Sequence, residues 1–280
     1  AALIAVGCED EVTGELPPAP PVDRAVVFVP EDYSTLQAGI DAVEEGDTVL
    51  VAAGTHSGQG FRDIQIRDKT IVVMSEDGPA ATVLRLDGTE AEPHFGFNLI
   101  GPQVSDVIID GFTVTGGYTA HGTGMFFTST SPTIRNCIFS DNIASVSGGA
   151  VRCKGSSPCF NSCTFVNNSA PTGGGIYVVT SSPTFENCII AFSRQSEAVC
   201  RAGSTSEPVF ICSNLFGNAA GDWIDFLSDQ LTLENNFSAD PIFCDRDNAD
   251  YHLRSGSPSS AEESPCGELV GALGIGCDTR

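Results

Sequence analysis

Gly149-Ala150-Val151-Arg152-Cys153, followed five positions on by Pro158-Cys159-Phe160-Asn161-Ser162-Cys163-Thr164-Phe165, is one copy of a phrase that this chain repeats. Thr123-Gly124-Met125-Phe126-Phe127 leads in the same way to Pro132-Thr133-Ile134-Arg135-Asn136-Cys137-Ile138-Phe139, and Gly174-Gly175-Ile176-Tyr177-Val178 leads to Pro183-Thr184-Phe185-Glu186-Asn187-Cys188-Ile189-Ile190. The prolines at 132, 158, 183 and 208 are spaced 26, 25 and 25 residues apart. So regular a step marks a repeat of about 25 residues with two clear short strands and room for a third. Helical periodicity is missing between the copies, which excludes helical solenoids, and the Leu/Asn consensus of leucine-rich repeats is absent.

Aligned in register, the apolar positions form columns. Ile109, Ile134, Phe160, Phe185 and Phe210 share one, with Leu233 expected as its last member. Val114, Phe139, Phe165, Ile190 and Leu215 share a second; Phe112, Cys137, Cys163 and Cys188 share a third. Each column stacks along the solenoid axis at about 4.8 Å, the spacing between hydrogen-bonded strands. Asn142, Asn168 and Asn218, with Ser193 between them, occupy one turn position and read as a ladder that satisfies backbone groups at the bend. Asp110, Arg135, Asn161 and Glu186 alternate with the first column and face outward.

Upstream, Ser34 and Gln37 form a capping-box pair, Leu36, Ile40 and Val43 share a face, and Gly46 stands where a helix would stop. One short helix before many strands suits the capping of an exposed first coil. Short strands are expected at Asp47–Val51, Ile64–Ile66, Thr70–Val73, Thr82–Leu86 and Val107–Ile109.

The 280 residues carry 36 acidic side chains against 13 basic ones, a formal net charge of -23. So acidic a body repels phosphate backbones and anionic membrane surfaces, which argues against nucleic-acid binding. Eleven cysteines without paired C-x-x-C or H-x-x-x-H spacing point to an oxidising, exported setting rather than to metal. The opening Ala1-Ala2-Leu3-Ile4-Ala5-Val6-Gly7-Cys8 is similar to the end of a lipoprotein signal peptide, with Cys8 as the acylated residue. The expected plan is a signal remnant at 1–8, an acidic and Pro-rich linker at 9–24, a capped solenoid at 25–243 and a disulfide-bearing cap or tail at 244–280. The expected location is the outer surface, the periplasm or the medium, with the membrane reached only through a lipid anchor and the chain monomeric.

The repeated phrase resembles the right-handed parallel β-helix repeats of the pectin-lyase-like superfamily, especially those of secreted bacterial proteins. The opening Val29-Pro30-Glu31-Asp32-Tyr33-Ser34-Thr35-Leu36-Gln37 with Gly46-Asp47-Thr48-Val49-Leu50-Val51 resembles the N-terminal cap of that group, and Ala239-Asp240-Pro241-Ile242-Phe243-Cys244 its ending. The resemblance implies an all-β, right-handed parallel β-helix over residues 26 to 277. It leaves function open, because this scaffold carries lyases, hydrolases, esterases, epimerases and adhesins.

The motifs of those enzymes are missing. Pectin-esterase, polygalacturonase and pectate-lyase phrases do not occur; Ala120-His121-Gly122 lacks a Gly, and Glu92-Pro93-His94-Phe95 shares two of four residues with the Asp-Pro-His-Asp of alginate epimerases. The outward Asp110, Arg135, Arg152, Tyr177 and Glu186 are the candidate ligand face, with Arg135 expected to pair with Asp110. Asp245, Asp247 and Asp250 have the acidic spacing of a calcium loop but lack its Gly and distal Glu, so calcium is the one cofactor the pattern admits. Cys137, Cys153, Cys159, Cys163, Cys188, Cys200, Cys212, Cys244, Cys266 and Cys277 are an even set for disulfides. Cys153 with Cys159 and Cys266 with Cys277 are the favoured local pairs, while Cys200, Cys212 and Cys244 are expected to tie the last coil to the C-terminal loops. The leading expectation is a non-catalytic surface or secreted β-helix that binds a polysaccharide or another envelope component or is structural. The alternative is a polysaccharide lyase or glycoside hydrolase with an unrecognised site.

Overall fold

Within the three long sheets the short strands pair with strands of the coil before or after, one coil stacked on the next. The computed structural model describes residues 24–278; Cys8, its expected acylation, the signal remnant and all of the linker but Arg24 lie outside them. Sheet A is parallel and has eight strands: Val26–Val29, Thr48–Val51, Val72–Ser75, Ile108–Asp110, Thr133–Arg135, Cys159–Asn161, Thr184–Glu186 and Val209–Ile211. Sheet B has seven: Gly54–Ser57, Thr82–Arg85, Thr113–Thr115, Ile138–Ser140, Thr164–Val166, Ile189–Ala191 and Asn214–Phe216. Sheet C has six: Ile64–Arg67, Phe97–Ile100, Met125–Thr128, Val151–Lys154, Ile176–Val179 and Val199–Ala202. The chain visits A, B and C in turn, so three walls close around one core. Sheet C supplies the third strand of each coil.

Each corner is turned by a residue with left-handed backbone. Between A and B it is Gly111, Asn136, Ser162, Asn187 and Cys212; after B it is Gly116, Asp141, Asn167, Phe192 and Gly217; after C it is Ser129, Gly155, Thr180 and Gly203. Gly, Asn and Asp tolerate that region best, which explains the turn-residue spacing. The expected amide ladder lies inside the corner after sheet B. Asn142 Oδ1 accepts from Gly117 N at 3.1 Å while its Nδ2 donates to Val114 O at 3.0 Å, and Asn168 repeats both bonds on Asn142 N and Phe139 O. Ser193 and Asn218 continue the row. A second ladder compensates for the proline column, whose members donate no backbone hydrogen bond: Thr130, Ser156 and Ser181 each donate a backbone N–H to the serine hydroxyl one coil on.

The three columns are buried as the register predicts. Phe160, Phe185 and Phe210 stack nearly face to face at 4.9 and 4.8 Å, and Phe139 and Phe165 at 5.1 Å. Leu233 is not the last member of the first column: it is 52% exposed, after the 3-10 helix Asp225–Thr232. Trp223 ends the column instead, edge-on to Phe210 at 5.5 Å, with its Nε1 donating to Phe237 O. An indole closes an apolar stack and still finds a hydrogen-bond acceptor, which Leu could not do at the polar end of the core. At the opposite end the helix Leu36–Ala42 packs Leu36 and Ile40 onto the first coil. Its N-cap is Thr35, whose hydroxyl accepts from Ala38 N, and not Ser34. Gln37, expected in the capping box, instead reaches Gln65, accepting from its N and donating to its O.

Residues beyond the last coil return along the solenoid. Phe243–Asp245, Asp250–Arg254 and Ile275–Cys277 form a small sheet, and Phe243, Tyr251, Leu253 and Val270 pack on Ile138, Val166, Ile189 and Ala191, the outer face of sheet B. Tyr251 donates to Asp141 Oδ2, and burial, then the Asp141 charge, pushes its phenol up to about 12. Two disulfides hold this strap, Cys212–Cys266 and Cys244–Cys277. Both favoured local pairs are therefore corrected. Cys266 reaches back 54 residues to the last corner, and Cys153 points into the core from sheet C whereas disulfide-bonded Cys159 points outward from sheet A. Cys137, Cys153, Cys163, Cys188 and Cys200, all expected among the bridges, are free thiols. Burial pushes the Cys137, Cys153 and Cys163 thiols up, so they pack as small protonated hydrophobes.

Three outcomes follow from this packing. Phe160→Ala opens a cavity between Ile134 and the Phe185 ring and lowers stability by about 3–5 kcal/mol in denaturant unfolding; Asn168→Ala strands two buried backbone groups and costs about 3 kcal/mol in the same measurement. Iodoacetamide leaves Cys137, Cys153, Cys163 and Cys188 unlabelled in the native protein and modifies them in denaturant, while unreduced peptide mapping recovers Cys212–Cys266 and Cys244–Cys277.

Candidate functional site

The five outward candidates do not share a face. Asp110, Arg135 and Glu186 stand on sheet A, Arg152 and Tyr177 on sheet C. On sheet A the side chains engage one another: Arg135 Nε donates to Asp110 Oδ2 at 2.8 Å, the expected pair, Asn136 Nδ2 donates to Asp110 Oδ1 at 2.9 Å, and Asn161 Nδ2 approaches Glu186 Oε2 at 3.4 Å. These are rungs between successive coils, and opposite charges in register stabilise the stack modestly.

Sheet C presents a different row. Register places Gln65, Asn98, Phe126, Arg152, Tyr177 and Cys200 side by side on its outer face, one per coil. The Arg152 guanidinium lies between two rings, 5.5 Å from the Phe126 centroid and 5.8 Å from that of Tyr177. Such a cation over aromatic faces is held in place without a carboxylate partner. Two polar atoms of the row are shielded yet have no hydrogen-bond partner, Arg152 Nε and Asn98 Oδ1. A buried donor and acceptor left unpaired beside one exposed row mark a place where the protein's own groups do not satisfy the side chains. Next to Arg152, the strand Tyr118–His121 brings His121 to 2.9 Å from Ser147 Oγ. Burial, then the Arg152 charge, lowers the His121 pKa below the usual histidine value, so this rim stays uncharged at neutral pH. Phe126 escaped the sequence reading, although its step of 26 residues from Arg152 matches the repeat.

The row runs at its N-terminal end into a cleft of about 840 Å³ lined by Thr35, Gln37, Asp41, Gln59, Arg62, Asp63 and His94. Gln37 links the two, since it also bonds Gln65, whose Oε1 accepts from Asn98 Nδ2 at 3.2 Å. Inside the cleft His94 Nδ1 lies 2.7 Å from Asp63 Oδ2, and Asp63 Oδ1 accepts from Phe95 N at 3.0 Å. Arg62 Nη1 donates to Leu86 O at 3.0 Å. His94 and Asp63 stand 31 residues apart, off the repeat, so no spacing rule points to them.

The acidic loop is built differently from the calcium pattern. Asp245 accepts from Asn248 N and Nδ2, capping the 3-10 helix Arg246–Asn248, Asp250 binds His252 at 2.7 Å, and Asp247 is nearly fully exposed. Among the described residues no three His, Cys, Asp or Glu side chains are grouped to hold a metal ion, and no helix is long and apolar enough to cross a membrane.

No curated protein and no solved structure matches this chain. The family described as right handed beta helix region matches residues 97–238, just over half of the 280. That span begins on sheet C at Phe97 and covers the coils in which the columns, corners and ladders are most regular. Its handedness is also the one that parallel strands joined by crossovers adopt. With parallel register from Val26 to Phe216 around one closed core, the chain belongs to the right-handed β-helix family.

Proposed function

We propose that this protein is an exported carbohydrate-binding β-helix that lays an extended polysaccharide along the outer row of sheet C. The observation that carries the reading is the Phe126–Arg152–Tyr177 sandwich with its unpaired Arg152 Nε, beside the equally unpaired Asn98 Oδ1. Aromatic faces pack on the apolar faces of sugar rings, and a planar guanidinium and an amide offer directional bonds to hydroxyls. Successive row members are separated by the strand spacing of about 4.8 Å, close to the length of one sugar unit. The net charge of -23 favours a neutral polymer over a polyanion. Two disulfides in the strap support an oxidising destination, and the N-terminal cap supports placement within the pectin-lyase-like superfamily.

Affinity electrophoresis and calorimetry on a panel of neutral and acidic polysaccharides test this. Retardation by a neutral polymer is expected, with Phe126→Ala, Tyr177→Ala and Arg152→Ala each weakening binding about tenfold or more and Arg135→Ala leaving it unchanged. Binding that survives all three sheet C substitutions, or no binding to any polymer, would sink the reading.

A further inference from the structure

We propose that the cleft between the capping helix and sheet C is a hydrolytic site, in which the Asp63–His94 pair activates water against an ester substituent on a neutral saccharide. The substrate class rests on the carbohydrate reading above; the chemistry rests on the cleft alone.

An ionised carboxylate only accepts hydrogen bonds, so the 2.7 Å contact to Asp63 Oδ2 places the His94 proton on Nδ1 and leaves the lone pair on Nε2. Asp63 is itself fixed by Phe95 N, and the His94 backbone exchanges two hydrogen bonds with Tyr118. The ring is thus oriented from two sides, and it lines the cleft. A histidine so held is the arrangement that general-base catalysis requires. Gln37 is committed to Gln65 and Asp41 and Arg62 Nη1 to Leu86 O, which leaves the other guanidinium N–H groups of Arg62, with Gln59 and the Thr35 hydroxyl, as donors lining the cleft.

Three hydrolytic or eliminative chemistries can be weighed against this set. Glycoside hydrolysis needs two cooperating carboxylates, and of the two in the cleft Asp63 is already held by His94 and Phe95 N. Elimination from a uronide needs an anion to enter, but Asp41 and Asp63 outnumber Arg62. Ester hydrolysis asks for one oriented base, a donor to the developing oxyanion and a neutral substrate, which the cleft supplies. In that step His94 Nε2 takes a proton from water as the water oxygen bonds to the acyl carbon, and the carbonyl electron pair moves onto its oxygen on the Arg62 side. When the carbonyl re-forms, the bond from the acyl carbon to the sugar oxygen breaks, and the proton on Nε2 passes to that oxygen. A carboxylic acid and a free hydroxyl leave; nothing is oxidised or reduced.

The polymer delivered along the row would reach the cleft at Gln65, so binding and hydrolysis are separable. The test measures acetate release from O-acetylated neutral polysaccharides and fluorescence from 4-methylumbelliferyl acetate, using the whole chain, with circular dichroism confirming that each variant is folded. The expected result is release by the wild type, a loss of 100-fold or more in kcat for His94→Asn, and for the positioning residue, Asp63→Asn, a loss of about tenfold or more in kcat with KM within twofold. Arg135→Ala, on sheet A away from both row and cleft, keeps the wild-type rates; release from the small ester with none from any polymer overturns the saccharide substrate alone, which separates failure of the carbohydrate reading from failure of this one. No release from either kind of substrate, or a folded His94→Asn variant with the wild-type rate, overturns the proposal.

Discussion

A strand of the three walls has no hydrogen-bonding partner within its own coil. Every backbone N–H and C=O on the three walls must be met by the coil before or after, at a register that permits no slip, because a shift of one residue would turn each inward side chain to water. Like therefore stacks on like: ring on ring from Phe160 to Phe210, amide on amide at Asn142 and Asn168, and a left-handed residue above a left-handed residue at each corner. The same constraint makes the two ends special, since the first and last coils have unmet neighbours. The helix Leu36–Ala42 covers one, and Trp223 with the short helix that follows covers the other.

Once the inside is filled by repetition, function is left to the outside, and the three walls differ there. Sheet A is laced by charge and amide rungs between Asp110, Arg135, Asn161 and Glu186, while its first strands expose Val26 and Phe28. The middle of sheet B is apolar on its outer face because the C-terminal strap buries it, and the strap is secured covalently at Cys212 and Cys244. Sheet C keeps an open row with a cation between two rings and two shielded polar atoms without partners, continuous with the polar cleft beside the capping helix. The cation held between two rings distinguishes sheet C from the charge and amide rungs of sheet A.

The cysteines show how one residue type takes two roles on this scaffold. Cys137, Cys163 and Cys188 occupy a column begun by Phe112 and serve as small core side chains, with burial holding the Cys137 and Cys163 thiols in the protonated form. Cys212, one coil beyond Asn187 in the left-handed corner between sheets A and B, carries a bridge instead. The strap crosses the molecule there and brings Cys266 within reach.

What the sequence determined by itself is everything that repeats: the coil length, the parallel strands, the columns from Ile109 to Phe210, the Asn142–Asn168 ladder, the capping helix, and the Arg135–Asp110 rung one period apart. Periodicity encodes which side chains point inward and which stand above one another, because both depend only on separation along the chain modulo one coil. The tertiary structure alone decided what breaks the period. Asp110 and Arg152 both alternate outward, yet lie on different walls; Cys266 finds Cys212 across 54 residues; Trp223 replaces Leu233 at the end of the stack; and Asp63 meets His94 through coils of unequal loop length. Those contacts depend on how irregular segments fold back over a finished solenoid, and local spacing carries no term for that.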